Sequence, residues 1–423
     1  MNKFIFKSYE FDKAELAARF SYGFDDGRVF NETVKFKSVK KNYDEKVLDQ
    51  AMFLAFVILG VSYYKTFPSV SVELNMSIDE WQANFFNRVY QEGLGQFAFE
   101  NRLTRDVLAH FVANKQTSTG GYSYSGSGIL ALQSGGKDSL LTATLLKEKN
   151  INFESMFLAS GDHHPSVLDG IGSDLVIDLR LIDHAGLRNA SKDGAQNGHV
   201  PVTYIIQSLA VVQAILLGKN TILTSIAHEG EEPHAHIGDL LITHQWSKTW
   251  AAEKSFSEYV SRYISPNIQI GSPLRCYSEL RVAELFIKHS WAEYGYKFSS
   301  CNIANYRQHS DNSELKWCGD CPKCANSYLL FSAFLPAGEL KSLFNGQDLF
   351  IKPSLQHTFK GLLGIDDIPK PFECVGEVEE LRLAYQLSQR ENGYQPLPFE
   401  VPNSTFNYDQ RHPSQSWATE MIQ

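Results

Sequence analysis

Six residues, "SGGKDS" at positions 134–139, combine the residue types that surround a phosphate anion. Two glycines permit backbone angles at which successive amide groups approach an anion closely. A lysine adds a full positive charge, and two serine hydroxyls add hydrogen-bond donors. The acid between them would repel phosphate, so we expect it to hold Mg²⁺ against the phosphates. The stretch predicts a polyphosphate site made of Ser134, Gly135, Gly136, Lys137, Asp138 and Ser139.

The segments on either side place this stretch between a strand and a helix. The apolar "LALQ" before the stretch predicts a buried strand. The periodic "SLLTATLL", which begins at the last serine of the stretch, predicts a helix. Ligands of open parallel sheets bind where strands end, and helix N-termini there attract anions. A capped helix after a plain glycine turn is the alternative. The spacing does not fit G-x-x-x-x-G-K-[ST], which excludes a P-loop NTPase.

Four cysteines in the C-terminal third have the spacing of a metal site. "WCGDCPKC" contains two overlapping C-x-x-C units, and one further cysteine precedes it. Two-residue gaps present neighbouring sulfurs to one ion, and closed Cys₄ sites are structural. An iron–sulfur cluster on the same ligands and unliganded thiols are the alternatives. We predict structural Zn²⁺ held by Cys301, Cys318, Cys321 and Cys324.

The composition of the 423-residue chain, with 43% hydrophobic and 21% charged residues, is that of a globular protein. Its net charge of −9 argues against a nucleic-acid partner, which usually requires a basic surface. The apolar stretch 51–64 is shorter than the ~20 residues of a spanning helix, so we expect a buried core helix and no membrane insertion. Six cysteines without a secretory signal pattern indicate a reducing compartment, the cytoplasm.

The first 120 residues predict a small α+β domain. Alternating apolar and polar residues between positions 3 and 36 are typical of antiparallel strands, separated by turn-like "DKAE" and "DDG". A helix from residue 44 and a second helix capped at Ser77 or Asp79 follow them. The Gly- and Ser-rich stretch 113–128 indicates a domain edge.

Beyond that edge, short apolar runs alternate with helical segments. The runs "GILALQ", "ESMFLA", "SDLVIDL" and "NTILTSI" predict buried strands, and the helices near 138–149, 201–217 and 250–263 predict a parallel sheet covered on both faces. The fold class is therefore α/β. The predicted units are an N-terminal α+β domain at 1–120, an α/β domain with the phosphate site at 121–300, a zinc-knuckle and helical region at 301–395 and an irregular tail at 396–423.

"SGGKDS" resembles the PP-loop of the ATP pyrophosphatases, which have the adenine nucleotide alpha hydrolase-like (HUP) fold. The resemblance implies that the chain binds ATP with Mg²⁺, cleaves it between the α- and β-phosphates, and releases AMP and diphosphate. Members of this superfamily adenylate a carboxylate, a carbonyl oxygen or a cytidine. A similar zinc knuckle follows the PP-loop domain in 7-cyano-7-deazaguanine synthases.

Stretches spread from about residue 5 to 385 resemble one narrower family, the ATP-dependent UDP-N-acetylmuramoyl-L-alanyl-L-glutamate epimerases of peptidoglycan synthesis. They are "GVSYYK", "NGHVPVT", "HQWSKTW", "FSSCN", "WCGDCPKC" and "KPFECVGEVEE". The resemblance implies inversion of the terminal L-glutamate of a nucleotide-linked muramoyl dipeptide through a carboxyl adenylate. One element departs from the family: "IAHEGEEPHAH" at 226–236 replaces an Asn-Glu-Arg-Ser-like element expected near ATP or substrate.

Such a reaction requires an acid–base pair at the α-carbon. Cys374 is not needed by the zinc site, and a thiol serves as base where its surroundings stabilise the thiolate; a small buried hydrophobe is the alternative. His199, just before a predicted helix, is a candidate base, phosphate ligand or capping group. The residues expected to contact the substrate are Tyr64, Lys65, His244, Ser247 and Lys248. A lysine that extends along the apolar surface to solvent is the alternative at position 65, and a solvated helix start is the alternative at 244–248.

Two further groups of histidines resemble metal ligands. His163 and His164 are adjacent, and the loop after residue 226 is rich in histidine and glutamate. A solvated loop is the favoured interpretation, because such side chains are usually exposed. The loop residues concerned are His228, Glu229, Glu231, Glu232, His234 and His236.

Other function classes stay open beside an epimerase. A PP-loop ligase or amidase-type enzyme would adenylate a different carboxylate and pass it to ammonia or an amine. A tRNA-modifying enzyme would use the cysteines for sulfur transfer, which the acidic composition disfavours. A regulator would bind the nucleotide without catalysis.

Overall fold

The computed structural model describes residues 3–39, 43–116, 120–161, 163–228, 230–307, 313–391, 393–409, 411–412 and 417–423. Within these residues, the strands are β1 (Phe4–Asp12), β2 (Ala17–Phe24), β3 (Val29–Lys35), β4 (Val72–Leu74), β5 (Ile129–Leu132), β6 (Phe153–Ala159), β7 (Leu175–Leu181), β8 (Thr221–Leu223), β9 (Ala235–Ile237), β10 (Leu240–Ile242) and β11 (Gln269–Gly271).

The same described residues contain the α-helices α1 (Glu45–Leu59), α2 (Val61–Tyr64), α3 (Glu80–Gln91), α4 (Gly95–Glu100), α5 (Lys137–Glu148), α6 (His184–Lys192), α7 (Val202–Leu217), α8 (Trp250–Tyr259), α9 (Glu279–His289), α10 (Trp291–Tyr294), α11 (Pro322–Ser332), α12 (Ala337–Ser342), α13 (Gln356–Leu362), α14 (Val378–Glu391) and α15 (Trp417–Glu420). The predicted α/β class is confirmed. The helices expected near 138–149, 201–217 and 250–263 correspond to α5, α7 and α8.

The strands predicted to form a parallel sheet do pair in parallel, but they and the predicted meander form one mixed sheet, which was not predicted. Its nine strands have the order β11-β8-β5-β6-β7-β3-β2-β1-β4. The strands from β11 to β7 pair in parallel, whereas β3 joins β7 in antiparallel fashion and continues into the predicted meander. The meander thus covers an edge of β7 that would otherwise expose unpaired backbone groups. The boundaries at residues 120, 300 and 395 stay predictions.

Helices cover both faces of the parallel strands, as predicted. Along β5, Leu130 packs into a core cluster with residues of α1, α7 and α8. Its neighbours Ile129 and Ala131 pack into a second cluster with residues of α5, α9 and α11. This alternation is expected for a strand buried on both faces. The two helical layers leave the carboxyl edge of β5 and β8 between them, where the loops converge.

The N-terminal helix is a core helix, as predicted. The segment Glu45–Tyr64 is long and apolar enough to cross a membrane, but 89% of its most apolar window is buried inside the protein. Asp44 caps its start by accepting hydrogen bonds from the backbone nitrogens of Lys46 and Val47. The helix packs against α7. Of the two cap candidates predicted for the second helix, Asp79 is confirmed, since it forms a capping box with Gln82 at the start of α3.

Candidate functional site

The predicted phosphate turn joins β5 to α5 at the carboxyl edge of the parallel strands. Gly135 has a φ of +78°, which favours glycine, and a Cβ there would lie 2.6 Å from Leu315 Cδ1. The backbone nitrogen of Ser134 donates to Ser139 Oγ at 3.2 Å, and that of Gly136 donates to Ser134 Oγ at 3.4 Å. The turn therefore depends on a glycine and is braced by the two serines.

The ammonium of Lys137 lies in a buried cluster with two carboxylates. Lys137 Nζ is 2.7 Å from Asp138 Oδ1 and 2.5 Å from Glu279 Oε2. Burial disfavours the charged lysine, but the two carboxylates outweigh burial and raise the pKa of Lys137 above its ordinary value. The charge of this lysine is therefore already neutralised by carboxylates of the same chain.

A cavity of 670 Å³ opens beside the turn. Small-molecule sites span roughly 300–1,000 Å³, so this volume suits a nucleotide or a substrate of similar size. The predicted residues in its wall are Ser134, Gly136, Asp138, Ser139, Lys248 and Cys374, and also His163 and His164. The predicted residues outside its wall are Gly135, Lys137, Tyr64, Lys65, His199, His244 and Ser247.

Three buried polar side chains in the cavity wall have unsatisfied atoms. Gln133, Gln207 and Thr224 are 6%, 1% and 3% exposed. Both amide atoms of Gln133, Oε1 of Gln207 and Oγ1 of Thr224 have no hydrogen-bond partner among the described residues. A buried polar atom without a partner costs about 1–3 kcal/mol, so these atoms indicate a polar ligand. The sequence pattern did not single them out, because each lies in an otherwise apolar element.

Cys374 and Lys248 meet at the cavity wall. Lys248 Nζ lies 3.5 Å from Cys374 Sγ. The backbone of Lys248 is fixed by Arg275, whose Nη1 donates to the Lys248 carbonyl oxygen at 2.9 Å and whose guanidinium pairs with the buried Glu253. A cation beside a sulfur stabilises a thiolate. The two residues, predicted separately, therefore form one contact pair.

The segment that carries Cys374 is tied to the cysteine-rich region. Glu373 Oε2 accepts a hydrogen bond from Asn302 Nδ2 at 3.1 Å. The backbone nitrogen of Gly376 donates to Asn326 Oδ1 at 2.9 Å. Both partners are close in sequence to the predicted zinc ligands, so the position of Cys374 depends on that region.

A second, much smaller cavity lies on the other side of this pair. Its 10 Å³ volume is bounded by Lys248, Cys374, His234 and His244 among other residues. His244 Nδ1 lies 2.7 Å from the amide oxygen of Gln96. The contact pair thus separates the large cavity from a polar cluster of histidines.

His199 belongs to this histidine cluster, although it bounds neither cavity. Its ring centroid lies 5.1 Å from that of His244. Burial, together with the charges of His244 and Lys65, lowers the pKa of His199 to about 3. Burial, together with Lys370 and His244, also lowers the pKa of His234 to about 3. Both imidazoles are therefore neutral at pH 7.

The other predicted substrate contacts have structural partners. Lys65 Nζ donates to Asn197 Oδ1 and to the Gly198 carbonyl oxygen, each at 2.8 Å, which holds the loop before α7. Burial, with the nearby Arg180, lowers the pKa of Lys65 to about 8. Tyr64 is fully buried, and its hydroxyl donates to the Ser69 carbonyl oxygen at 3.0 Å.

The remaining residue of this group, Ser247, is completely buried. Its hydroxyl has no hydrogen-bond partner within the described part of the chain.

The loop rich in histidine and glutamate packs on the segment before Cys374. Glu232 Oε2 lies 2.5 Å from Lys370 Nζ, and the ring of His234 stacks on Phe372 at 5.2 Å. Glu229 lies outside the described residues. The loop therefore packs against other parts of the protein, whereas the sequence favoured a solvated loop. Among the described residues, the loop forms no group of potential metal ligands, and neither do His163 and His164.

The four predicted zinc ligands come together. The sulfur atoms of Cys301, Cys318, Cys321 and Cys324 all lie within 4.8 Å of one another. The contacts between Cys301 and Cys321, Cys318 and Cys324, and Cys321 and Cys324 measure 3.8, 3.7 and 3.5 Å. Tetrahedral Zn²⁺ with Zn–S bonds of about 2.3 Å places sulfurs about 3.8 Å apart. The four thiols thus have the spacing that a tetrahedral metal requires.

Two residues near these cysteines reach the large cavity without having been predicted. Lys323 and Ser300 both line its wall. The motifs "WCGDCPKC" and "FSSCN" contain them, but only the cysteines of these stretches were assigned a role. Glu279, the partner of Lys137, was also missed, because a buried acid at the start of α9 has no signature of its own in a single sequence.

The sheet is of the α/β class, and a glycine turn and a polar cavity lie at its carboxyl edge. These features are typical of α/β proteins that bind a small molecule. Residues 1–272 match the family model described as MurL N-terminal domain, and residues 297–411 match that described as MurL C-terminal domain.

The chain is also similar to three proteins named UDP-N-acetyl-alpha-D-muramoyl-L-alanyl-L-glutamate epimerase. The protein of Xanthomonas oryzae pv. oryzae is 31% identical over 391 residues, covering 91% of this chain and 85% of the relative. The protein of Salinispora tropica is 31% identical over 418 residues, covering 94% and 87%. That of a Micromonospora strain is 30% identical over 406 residues, covering 94% and 89%. This chain belongs to the MurL family.

Proposed function

We propose that the protein is an ATP-dependent epimerase of UDP-N-acetylmuramoyl-L-alanyl-L-glutamate in peptidoglycan precursor synthesis. Membership of the family and the printed names of three relatives support the reaction and the substrate. The observation that carries the proposal is one cavity bounded both by the glycine turn and by the contact pair of Lys248 and Cys374. The cytoplasmic location is proposed with it.

The nucleotide half of the proposal assigns a PP-loop fold. The strand order reverses at β5, which has β6 on one side and β8 on the other, and ligands of α/β sheets bind at such switch points. The turn that follows β5 leads into a helix of 12 residues whose N-terminus favours phosphate. Asp138 lines the cavity and would hold Mg²⁺, which neutralises charge on bound phosphates.

ATP has a specific use in this reaction. Removing the α-proton of glutamate builds negative charge next to a carboxylate that is already charged. Attack of that carboxylate on the α-phosphorus of ATP, with diphosphate leaving, produces an acyl adenylate without this charge. Proton removal and return on the opposite face then invert the centre, and water releases AMP and the D-glutamyl product.

Cys374 is assigned as the acid–base group on one face of the α-carbon, and a second group must return the proton on the opposite face. The 3.5 Å contact between Cys374 Sγ and Lys248 Nζ at the cavity wall supports this role. His199 is assigned a positioning role, since it packs against His244 and not against the cavity. The substrate contact assigned to His244 is supported by its place at the second cavity, which Cys374 also bounds. For Tyr64, Lys65 and Ser247 we propose a supporting role in the region around the two cavities.

Structural Zn²⁺ is proposed for the four-cysteine cluster. The sulfur spacing suits it, and the backbone nitrogens of Ala304 and Asp320 donate to Cys301 Sγ and Cys318 Sγ, each at 3.4 Å. Amide donors of this kind stabilise thiolates that ligate a metal. The metal would fix the loops that carry Asn302 and Asn326, and through them the segment of Cys374.

A direct assay tests the proposed function. The protein is incubated with ATP, Mg²⁺ and the UDP-muramoyl dipeptide in D₂O, followed by chiral analysis of the glutamate and analysis of the nucleotide products. We expect D-glutamate with deuterium at the α-carbon, AMP and diphosphate. Unchanged configuration with AMP formed on a different carboxylate would favour the ligase or amidase-type alternative. ADP and orthophosphate as products would refute the assignment of the turn.

A matched pair of cysteine variants tests the acid–base assignment. Cys374→Ala should lower the turnover by about 10²–10⁴-fold, as expected for loss of a general acid or base. Cys276→Ala is the control, because Cys276 is buried and bounds neither of the two cavities. Equal turnover in the two variants would remove Cys374 from the chemistry.

A further inference from the structure

Two lysines line the large cavity, and they differ in their partners. Lys248 lies beside Cys374 at 3.5 Å. Lys323 is half-buried and forms no hydrogen bond or ion pair with any other residue that the structure describes. An ammonium that lines a cavity and has no acidic partner can bind an anion there. Among the described residues, Lys323 is therefore the lysine of the cavity wall that has no acceptor.

The backbone around Lys323 is held on both sides. Lys323 is the second residue of α11 and stands between Cys321 and Cys324, whose sulfurs lie 3.5 Å apart. The Lys352 side chain reinforces this loop by donating to the Gly319 carbonyl oxygen at 2.7 Å. The start of the lysine side chain is therefore fixed, and less conformational entropy is lost when its ammonium binds an anion.

The cysteine cluster and the glycine turn form adjacent parts of one wall. Ser300 directly precedes Cys301, and its Oγ lies 3.5 Å from the place that a Cβ on Gly136 would occupy. Leu315 Cδ1 similarly lies 2.6 Å from the place of a Cβ on Gly135. An anion held by the turn is therefore bounded by the same region that carries Lys323.

The charges near the turn favour a further cation in the wall. Lys137 is paired with Asp138 and Glu279 in a buried cluster and does not line the cavity. Asp138 and Glu314 add acidic groups to the wall. Besides Lys248, which contacts Cys374, and the Mg²⁺ proposed at Asp138, Lys323 is the lysine in the wall that can balance the several negative charges of a polyphosphate.

We propose that Lys323 binds the phosphates of ATP held by the glycine turn. The inference rests on the proposed function, because it takes ATP as the ligand of this cavity. It gives the cysteine cluster a second role beyond folding, namely to present a phosphate-binding lysine. The diphosphate of the UDP-linked substrate has the same chemistry, and the position of Ser300 and Leu315 against the two glycines favours ATP.

The test measures equilibrium binding by calorimetry, with Mg²⁺, of three separate ligands: ATP, inorganic diphosphate and the UDP-muramoyl dipeptide. Lys323→Ala should weaken ATP and diphosphate about 10–100-fold, since hydrogen bonds to charged groups have this strength. Lys323→Arg keeps the charge and should recover part of the affinity. The control is Lys316→Ala, an exposed lysine of the same region that does not line the cavity. Circular dichroism and metal content should match the wild type in all variants.

Each contrary outcome has a distinct meaning. Wild-type protein that binds neither ATP nor diphosphate would refute the proposed function and this inference with it. Wild-type protein that binds ATP, with Lys323→Ala and Lys323→Arg unchanged in affinity, would overturn the inference alone. A loss of affinity confined to the UDP-linked substrate would also overturn it, because Lys323 would then bind the other diphosphate.

Discussion

Two of the helices that begin beside the large cavity have a lysine in the first turn. Lys137 at the start of α5 belongs to the glycine turn, and its charge is buried between two carboxylates. Lys323 at the start of α11 follows a cysteine cluster and lines the cavity without an acidic partner among the described residues. Two lysines in the first turn of a helix thus have opposite surroundings. Surroundings, and not the motif alone, decide which lysine faces a ligand.

The comparison also separates two ways of fixing a loop. The glycine turn is fixed by a positive φ at Gly135 and by hydrogen bonds between Ser134 and Ser139. The second loop is fixed by four sulfurs within 4.8 Å of one another. The first depends on side chains of this chain only, whereas the second would depend on a bound metal.

The largest expected effect is on stability, from Lys137→Met. This change leaves two carboxylates close together in a site where the lysine and Glu279 are each 6% exposed. Removing one partner of a buried ion pair costs about 3–5 kcal/mol. Urea denaturation followed by tryptophan fluorescence measures the loss. Lys147→Met, at an exposed position of the same helix, is the control and should change stability little.

Equal stability of Lys137→Met and Lys147→Met would contradict the comparison between Lys137 and Lys323. The Lys137 ammonium would then have to leave its carboxylates at little cost, and the motif lysine would again be available to phosphate.

The second effect is a dependence of ATP binding on the metal bound by the four cysteines. Cys301→Ser removes one of the four sulfurs, and we expect loss of bound zinc, measured by elemental analysis. If the cluster positions Lys323, affinity for ATP should fall about 10–100-fold, the same range as for Lys323→Ala. Cys276→Ser is the control, since Cys276 lies outside the cluster. Full ATP affinity in zinc-free protein would show that the loop is fixed without metal.

Local patterns predicted the elements that depend on local physics. Strands β1 to β3 and the cap at Asp79 follow from alternation and capping chemistry, and the four zinc ligands follow from their spacing. The antiparallel joining of β3 to β7 was not predicted, because strand pairing between residues far apart leaves no periodic signal. The predicted parallel strands and the predicted meander were therefore expected in separate domains, whereas they form one mixed sheet.

The candidate site shows the same division. The glycine turn was predicted from six consecutive residues, and its shape needs little beyond them. The pairing of Lys137 with Glu279 joins residues 142 positions apart, and that of Lys248 with Cys374 joins residues 126 apart. Such contacts are set by tertiary packing. One sequence names the candidate residues, and only the fold shows which of them meet.

A third, smaller effect concerns the unsatisfied polar wall. Gln207→Leu removes an amide whose Oε1 has no partner among the described residues, and the free protein should keep its stability or gain slightly. Affinity for the cavity's ligand, measured with ATP and with the dipeptide substrate, should fall about tenfold. Gln213→Leu is the matched control on the same helix, because the Gln213 amide donates to the Ser38 carbonyl oxygen and does not line the cavity. Affinity that is unchanged in Gln207→Leu would assign the ligand to another part of the wall.

The smallest effect concerns the pH dependence of stability. It tests the buried His199, whose pKa is lowered by burial and by neighbouring positive charge. Carboxylates raise the pKa of Lys137, whereas burial, His244 and Lys65 lower the pKa of His199 from 6.5 to about 3. The unfolded chain takes up a proton on His199 as pH falls below 6.5, and the folded protein does not until about pH 3. Stability should therefore fall with falling pH in this window.

His199→Gln should reduce that fall by about 1.5 kcal/mol between pH 6.5 and 5, measured by urea denaturation at each pH. His236→Gln, at an exposed position, should retain the wild-type slope. A wild-type slope in His199→Gln would mean that the imidazole is protonated in the folded protein. The histidine cluster would then add positive charge beside Lys248 and Cys374. His199 would have to be counted, with Lys323, among the cations without an acidic partner in the described residues.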